Sequence, residues 1–334
     1  MPLLLPLRIP CCARLLLTVK IRAARGLRTQ ASAGTLAASD LQLEPPEPGT
    51  VKEHDHHVFL WAPGPEGRAS TGEPDWPSKV ERLPVMLNAF KAISAAKLKH
   101  QVKGSVKITA YEEVCPGDTA PPKPDHCHCL IFPQGASFYN LPQHKLSRVI
   151  PVLCASVPDT PDLTEPQHLE PQVGHEDLEE GPGDAAWEAP EMPALDSRLT
   201  WMQGQLDGLH LFICAHGSRD SRCGSIGNGL VARLTDLVWQ QRLDDHVHIH
   251  RCSHVGGHKY AGNVVVYGQM SPCDGDWFGG VTVANAAQFL SSLVEMEVGS
   301  NGPLDDPCLR PLWRGRIGQS KSEQLAYADC TCAA

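Results

Sequence analysis

The chain has 334 residues, of which 42% are apolar and 20% charged, and its formal net charge is −9. This length accommodates about two domains of roughly 100 to 150 residues with tails and a linker. The acidic balance argues against nucleic acid as a partner. No run approaches the about 18 consecutive apolar residues of a membrane span, so we expect a soluble protein without one.

The amino-terminal segment has the composition of a targeting sequence. Six basic residues precede the first acidic residue, Asp40, among leucines, alanines and a few hydroxyl residues. This composition is typical of a mitochondrial transit peptide. A secretory signal is the alternative, but Arg8, Pro10 and Arg14 interrupt the apolar stretch, and a chloroplast address also stays open. We predict a transit peptide over residues 1–35 and a mitochondrial protein of the matrix.

Apolar patterns predict a first α/β block over residues 52–154. A short apolar run at residues 57–61 predicts a strand, and helical spacing from Val80 to Ile93 predicts a helix. Three strands and a closing helix are predicted next, at residues 106–111, 129–132, 136–139 and 146–153. The predicted order of elements is therefore β-α-β-β-β-α.

A strongly acidic segment follows this block. Residues 155–197 contain twelve acids and seven prolines but no lysine or arginine. Such a segment cannot bury enough apolar surface to fold, so it predicts a disordered linker. Its simplest role is solubility and spacing.

The second block, residues 198–325, repeats the order of the first. Its predicted strands, helix, strands and final helix lie at residues 209–214, 226–238, 247–252, 263–267, 277–281 and 284–294. This order is compatible with a thioredoxin-like layer of helices on a mixed sheet. We expect an α/β protein of two tandem thioredoxin-like domains with mixed sheets, joined by the disordered acidic linker, the first domain being degenerate.

Two cysteines and two histidines in the second block have the character of metal ligands. Cys214 ends a predicted strand, and Cys223 lies nine residues later, just before a predicted helix whose amino terminus favours a thiolate. His254 and His258 are separated by Val-Gly-Gly, which allows both imidazoles to turn toward one point. Zinc and iron-sulfur clusters both accept such a set. The eight residues between the cysteines exceed the usual zinc-finger spacing and favour something larger than one ion.

Three runs then carry a family resemblance. They are CAHGSRDSRCG at residues 214–224, HVGGHKYAGN at residues 254–263 and LWRGRIG at residues 312–318. The chain resembles the sucrase/ferredoxin-like family, and within it the altered-inheritance-of-mitochondria branch. The likeness is strong over most of residues 205–325 and extends more loosely into the first block.

The resemblance implies a thioredoxin-like ferredoxin that holds a [2Fe-2S] cluster through Cys214, Cys223, His254 and His258. Two ferric ions, two sulfides, two thiolates and two neutral imidazoles give an oxidised site of zero charge, whereas four thiolates would leave −2. Adding an electron is then easier, so we expect a potential well above the about −400 mV of plant-type ferredoxins. Ring nitrogens that take up protons would couple reduction to pH.

Other residues compete for these roles. Cys252, two residues before His254, offers a Rieske-type alternative, and His216 lies inside the ligand loop. Three histidines alternate along a predicted strand, where surface or satisfied core positions are the simpler interpretation: His246, His248 and His250. Three basic residues flank the ligands and either stabilise a reduced site or form a solvated loop: Arg219, Arg222 and Lys259.

The predicted function is electron transfer, redox sensing or quality control with an unidentified redox partner protein, rather than catalysis. Two Cys-x-Cys pairs, Cys127–Cys129 and Cys330–Cys332, offer a thiol-redox enzyme as the alternative, although the chain has no Cys-x-x-Cys. A structural zinc module is a third hypothesis. Sucrase activity is not expected, because no pair of positioned carboxylates stands out in the folded blocks. Trp313 and Gly315 of the last motif are interpreted as packing and turn residues.

Overall fold

The computed structural model describes residues 43–62, 76–99, 101–114, 122–123, 125–155, 202–297, 300 and 302–330. All of them belong to one unit, Thr35–Ala334. The predicted transit peptide, residues 1–35, and residues 156–197 of the predicted linker lie outside the described residues. Within the described ranges, no helix combines the length and apolarity that crossing a membrane requires.

The first half of the fold has the predicted order of elements. They are β1 (His56–Trp61), α1 (Pro84–Leu98), β2 (Val106–Glu113), β3 (His126–Phe132), β4 (Ala136–Pro142) and α2 (Leu146–Ala155). Strand β1 pairs parallel to β2 on one side and antiparallel to β3 on the other, and β3 pairs antiparallel to β4.

The second half repeats both the order and the pairing. After β5 (Met202–Gln205), its elements are β6 (Leu209–Cys214), α3 (Ser221–Gln241), β7 (Val247–Cys252), β8 (Val264–Tyr267), β9 (Asp276–Phe278) and α4 (Ala286–Glu295). Strand β6 pairs parallel to β7 and antiparallel to β8, and β8 pairs antiparallel to β9. The chain continues through β10 (Trp313–Arg316) and α5 (Lys321–Cys330).

The two halves share one mixed sheet. Its strand order is β10-β9-β8-β6-β7-β2-β1-β3-β4-β5, with ten strands. Strands β2 and β7 join the halves as an antiparallel pair, in which Tyr111 lies opposite Cys252. Strand β5 extends the first half by pairing with β4, and β10 extends the second by pairing with β9. The mixed α/β class is confirmed, whereas β5, β10, α5 and the β2–β7 junction were not predicted.

The sheet bends so that its two halves face each other. The rings of Phe59 on β1 and Phe212 on β6 stack with centroids 3.7 Å apart, and those of Phe132 and Tyr267 stack at 4.0 Å. Two strands separate β1 from β6, so in a flat sheet they would be about 14 Å apart at the usual spacing of neighbouring strands. The stacked rings therefore form an inner core between the halves.

The helices cover the outer face, because strand side chains alternate between the two faces. Val58 and Leu60, on either side of Phe59, pack in one outer core with α1 and α2. Leu211 and Ile213, on either side of Phe212, pack in another with α3 and α4.

Several histidines are buried in these cores as neutral rings. The His57 ring contacts the Tyr267 hydroxyl at 2.9 Å and the Thr109 hydroxyl at 2.8 Å. His210 Nδ1 lies 3.0 Å from His250 Nε2, while His210 Nε2 donates to the Asp207 carbonyl. Burial lowers the pKa of His54 to about 4 and that of His210 to about 3.

These lowered pKa values predict acid sensitivity. Below pH about 6.5 the unfolded chain binds protons that the folded chain excludes, so stability falls as pH drops from about 6.5 toward 4, and above 6.5 these groups contribute no slope. Each such histidine contributes up to about 1.4 kcal/mol per pH unit. Urea unfolding at pH 7, 6 and 5 measures this slope. His54→Gln should reduce it and His144→Gln, at an exposed position, should not; equal slopes in both variants would contradict the assignment.

Candidate metal centre

The end of β6 and the start of α3 place two thiols in one buried region. Cys214 is the last residue of β6, and Cys223 is the third residue of α3; both side chains are buried. Asp220 caps the helix, and its carboxylate accepts a hydrogen bond from the Arg222 backbone N–H at 3.0 Å. The helix amino terminus thus lies at the thiols, where its dipole favours negative charge.

A glycine permits this approach of helix to strand. A Cβ added to Gly227 of α3 would overlap the carbonyl oxygen of Cys214 and lie 2.9 Å from the Cα of Ala215. Because both obstacles are backbone atoms, no side-chain rotation relieves the overlap. Gly227 therefore sets the distance between α3 and the end of β6, and with it the separation of the two thiols.

His254 completes a three-residue group. One donor atom from each of Cys214, Cys223 and His254 lies within 4.8 Å of the other two. His254 Nδ1 is buried and has no hydrogen-bond partner among the described residues. A buried ring nitrogen without a partner, beside two thiols, is the arrangement expected of a soft metal site. The donor set therefore fits a metal ion or cluster.

His258, the fourth predicted ligand, lies at the rim of this group. Its side chain is 50% exposed, and its ring centroid is 5.6 Å from that of His254. Its Nε2 lies 4.0 Å from the Asp220 carboxylate. The structure thus brings three of the four predicted residues together and leaves His258 adjacent to them but outside the 4.8 Å group.

His216 was considered as a competing ligand, but its ring forms hydrogen bonds to other parts of the chain. Its Nε2 donates to the Pro77 carbonyl at 3.0 Å, and its Nδ1 accepts from the His254 backbone N–H at 3.2 Å. Both ring nitrogens are therefore occupied. Ser218 in the same loop donates to the Trp76 carbonyl. His216 and Ser218 anchor the ligand loops to a segment of the first half of the fold.

The two thiols share a hydrogen bond, which lowers the pKa of one and raises that of the other. A hydrogen bond from Cys223 holds the pKa of the Cys214 thiol well below its usual range, and the imidazole of His254 acts in the same direction. The same hydrogen bond raises the pKa of Cys223. The lowered pKa of Cys214 favours its thiolate form, which is the form that binds metals.

Arg314 is a functional candidate that sequence reasoning missed. Its side chain is 2% exposed, and burial lowers its pKa to about 10. The guanidinium donates to neutral acceptors: the Asn263 side-chain oxygen at 2.5 Å, the Thr50 hydroxyl and carbonyl at 3.2 Å each, and the Gly256 carbonyl at 3.5 Å. None of these acceptors is a carboxylate, so none of them neutralises the positive charge of this buried side chain.

The loop between the two histidines is shaped around Arg314. Gly257 has φ +73, and a Cβ there would lie 2.6 Å from the guanidinium carbon of Arg314. Glycine is therefore required both by the left-handed backbone and by the close approach of this cation. The motif that contains Arg314 was visible in sequence, but this contact was not.

The remaining candidates are placed elsewhere. Cys252 is buried at the end of β7 outside the three-residue group, and burial raises the pKa of its thiol. Cys127 and Cys129 lie in an outer core, where burial raises the pKa of Cys127 to about 12, so that thiol is not ionised near neutral pH. Cys332 lies outside the described residues.

The other predicted side chains serve packing and surface pairing. Trp313 is fully buried, as predicted for a packing residue, and its indole donates to Asp276 at 2.8 Å. Arg222 pairs with Asp220 at 3.0 Å and Lys259 with Glu44 at 2.6 Å. These two flanking cations thus have carboxylate partners of their own.

Fold and site together define a mixed α/β protein in which two buried thiols and a partly buried imidazole form a group that could hold a metal. Residues 48–315 match the sucrase/ferredoxin-like family, and the chain belongs to that family. It is 28% identical over 267 residues to altered inheritance of mitochondria protein 32 of Eremothecium gossypii, a match covering 76% of this chain and 78% of the relative.

Shorter matches link the chain to proteins of the same name in other organisms. The protein from Meyerozyma guilliermondii is 41% identical over 71 residues, 21% of this chain and 24% of the relative. The one from Candida glabrata is 33% identical over 91 residues, 25% of this chain and 28% of the relative.

The close approach at Gly227 can be tested against a second glycine of the same helix. Gly227→Ala should lower the free energy of unfolding by about 2 kcal/mol or more, because its methyl group meets backbone atoms, and should reduce metal content. Gly229→Ala should be neutral or stabilise by about 0.4–1 kcal/mol, since its Cβ would lie 3.4 Å from a Val283 methyl group. Urea unfolding and metal analysis measure both. Equal behaviour of the two variants would refute this role of Gly227.

Proposed function

We propose that this chain is a [2Fe-2S] protein whose cluster is held by Cys214, Cys223, His254 and His258. The observation that carries the proposal is the buried group of two thiols and one imidazole whose Nδ1 has no hydrogen-bond partner among the described residues. Family membership supports it, because residues 48–315 match a family named for ferredoxin-like proteins. Thiolates and imidazoles together are established ligands of two-iron clusters.

The position of His258 favours a cluster over a single zinc ion. Zinc ligands lie about 2.0–2.3 Å from the metal, so any two of them are at most about 4.6 Å apart. His258 lies outside the 4.8 Å group formed by the other three residues. In a two-iron cluster one pair of ligands is set apart from the other, and His258 on the rim is set apart from the thiols in this way, whereas His254 lies close to them.

When bound, such a cluster accepts and releases one electron, and the residues of this chain supply its electrostatic setting. Two thiolates and two neutral imidazoles make the oxidised site neutral, so reduction leaves one negative charge. Arg314 is a buried cation without a carboxylate among its hydrogen-bond acceptors, and the nearby Cys214 and Cys223 raise its pKa against the effect of burial. It stabilises the added charge.

His258 is the most exposed of the four proposed ligands. Half of its side chain is open to solvent, and its Nε2 lies 4.0 Å from the Asp220 carboxylate.

We further propose that each half of the fold is a thioredoxin-like unit, the first of them degenerate. Both halves share the order β-α-β-β-β-α and the same strand pairing. The last residue of β1, Trp61, occupies the place that Cys214 holds in β6. The first half thus lacks a thiol at the position where the second provides its first ligand.

The cellular role follows from these assignments. A buried one-electron centre suits a carrier or a redox sensor that exchanges electrons with a partner protein. We place it in the mitochondrial matrix, because relatives are named for altered inheritance of mitochondria and the first 35 residues have the composition of a transit peptide.

Anaerobic purification tests the cluster directly. We expect a coloured protein with about two iron and two acid-labile sulfide per chain, bleached by dithionite. Cys214→Ala, Cys223→Ala and His254→Ala should each abolish the colour. Cys252→Ala is the matched control: it removes a buried thiol beside the site and should keep the iron. A colourless protein with stoichiometric zinc and no labile sulfide, even after reconstitution, would overturn the proposal.

The role of Arg314 predicts a shift in potential. Arg314→Gln removes the buried positive charge, so the reduced site loses stabilisation and the midpoint potential falls, by on the order of 60 mV for a tenfold change in the one-electron equilibrium. Arg222→Gln, at a surface residue paired with Asp220, should shift it far less. Spectroelectrochemical titration of both variants decides this; equal potentials for Arg314→Gln and wild type would rule the role out.

A further inference from the structure

A small cavity lies behind the loop that joins His254 to His258. Its volume is about 70 Å³. It is lined by Thr50, Val51, Lys52, Lys107, Val255, Gly256, Gly257, Trp277 and Arg314. Three of these residues are cations, contributed by three separate parts of the chain, and none is an acid. The cavity adjoins the proposed cluster site, since the Cys214 thiol acts electrostatically on both Lys107 and Arg314.

Among the described residues, the cations of the cavity have no carboxylate partners. Among the described residues, neither Lys52 nor Lys107 forms an ion pair, and Arg314 donates only to the neutral acceptors given above. Lys107 Nζ lies 5.5 Å from the centroid of the Trp277 ring, which forms one wall. Bringing positive charges together in a partly buried cavity raises the free energy of the folded protein unless an anion binds beside them.

The volume restricts the size of that anion. A cavity of about 150 Å³ accepts benzene, whereas a single water needs about 10–15 Å³. At about 10–15 Å³ for each water-sized group, a cavity of about 70 Å³ admits about five heavy atoms. A tetrahedral oxyanion has this size, and its two negative charges at neutral pH suit lysine and arginine donors.

We propose that this cavity is a binding site for a phosphate-sized oxyanion. Lys107 supplies the inner charge, Lys52 the outer one, and Arg314 forms the wall shared with the ligand loop. Since none of the proposed cluster ligands contacts the anion in this assignment, the site binds phosphate whether or not the cluster is loaded.

Calorimetric titration of inorganic phosphate into the full-length protein tests this, with chloride maintaining a constant ionic strength. We expect saturable binding of one phosphate per chain, weakened at least tenfold by Lys107→Met. Lys97→Met, at an exposed position on α1, is the matched control and should bind as the wild type does. Absence of saturable binding to the wild type would overturn the proposal, as would equal affinity in Lys107→Met.

Two further measurements keep the result interpretable. Lys52→Met changes an exposed side chain and leaves the core intact, so it should weaken phosphate binding even if Lys107→Met fails to fold. An unchanged affinity in Lys52→Met would then count against the site. Acetate tests the class of ligand: it should displace phosphate poorly, and displacement at equal concentration would identify a carboxylate site and refute the tetrahedral assignment.

Discussion

The stacking of aromatic rings between the two halves of the sheet is the contact on which the other features depend. Phe59 against Phe212, and Phe132 against Tyr267, hold strands in contact that the strand order alone would separate. Aromatic pairs of this kind contribute about 0.5–1.5 kcal/mol beyond the area they bury. Because the halves face each other, residues of the first half reach the ligand loops of the second, and Lys107 on β2 meets Trp277 on β9.

The environment of Arg314 makes electrostatic sense only beside a site that carries or acquires negative charge. Burying a guanidinium is unfavourable, and its neutral acceptors satisfy hydrogen bonds without cancelling its charge. Arg316, two residues later, shows the alternative: it pairs with the buried Asp276 carboxylate at 2.7 Å. The two arginines of strand β10 thus have different partners: Arg314 donates to neutral acceptors, whereas Arg316 pairs with a carboxylate. Arg314, whose pKa is lowered by burial and raised by the nearby Tyr260, Cys214 and Cys223, is the one without a carboxylate acceptor.

The periodicity of apolar residues predicted the helices and strands, because these depend on the local sequence. The twelve elements of the two repeated halves all appear in the structure, because apolar alternation and helical spacing report which face of an element is buried. The β2–β7 junction was not predictable in this way, since it depends on which strand edges meet after the halves have formed. The thiol pair and the two histidines were recognised from spacing and residue type. Whether His216 or His254 faces the thiols depended on the Pro77 carbonyl, which lies 139 residues from His216 along the chain.

The hydrogen-bond partners of Arg314 could not be predicted from the sequence either. Its motif was recognised, but an arginine in such a motif gives no sign that its partners are Thr50, Asn263 and the backbone of Gly256. Only the folded chain brings these segments together. The Gly-Gly pair was interpreted as a tight turn between two ligands, whereas Gly257 also leaves space for the guanidinium.

The first half of the fold contributes directly to the candidate metal centre of the second. Without the Pro77 carbonyl, His216 would have a buried ring nitrogen unsatisfied, and without the Trp76 carbonyl the Ser218 hydroxyl would lose its acceptor. Both contacts fix the loops that carry Cys223 and His254. The first half therefore has a physical role at this site: it buries the inner aromatic face of the second half and supplies the fixed carbonyls against which the ligand loops are held.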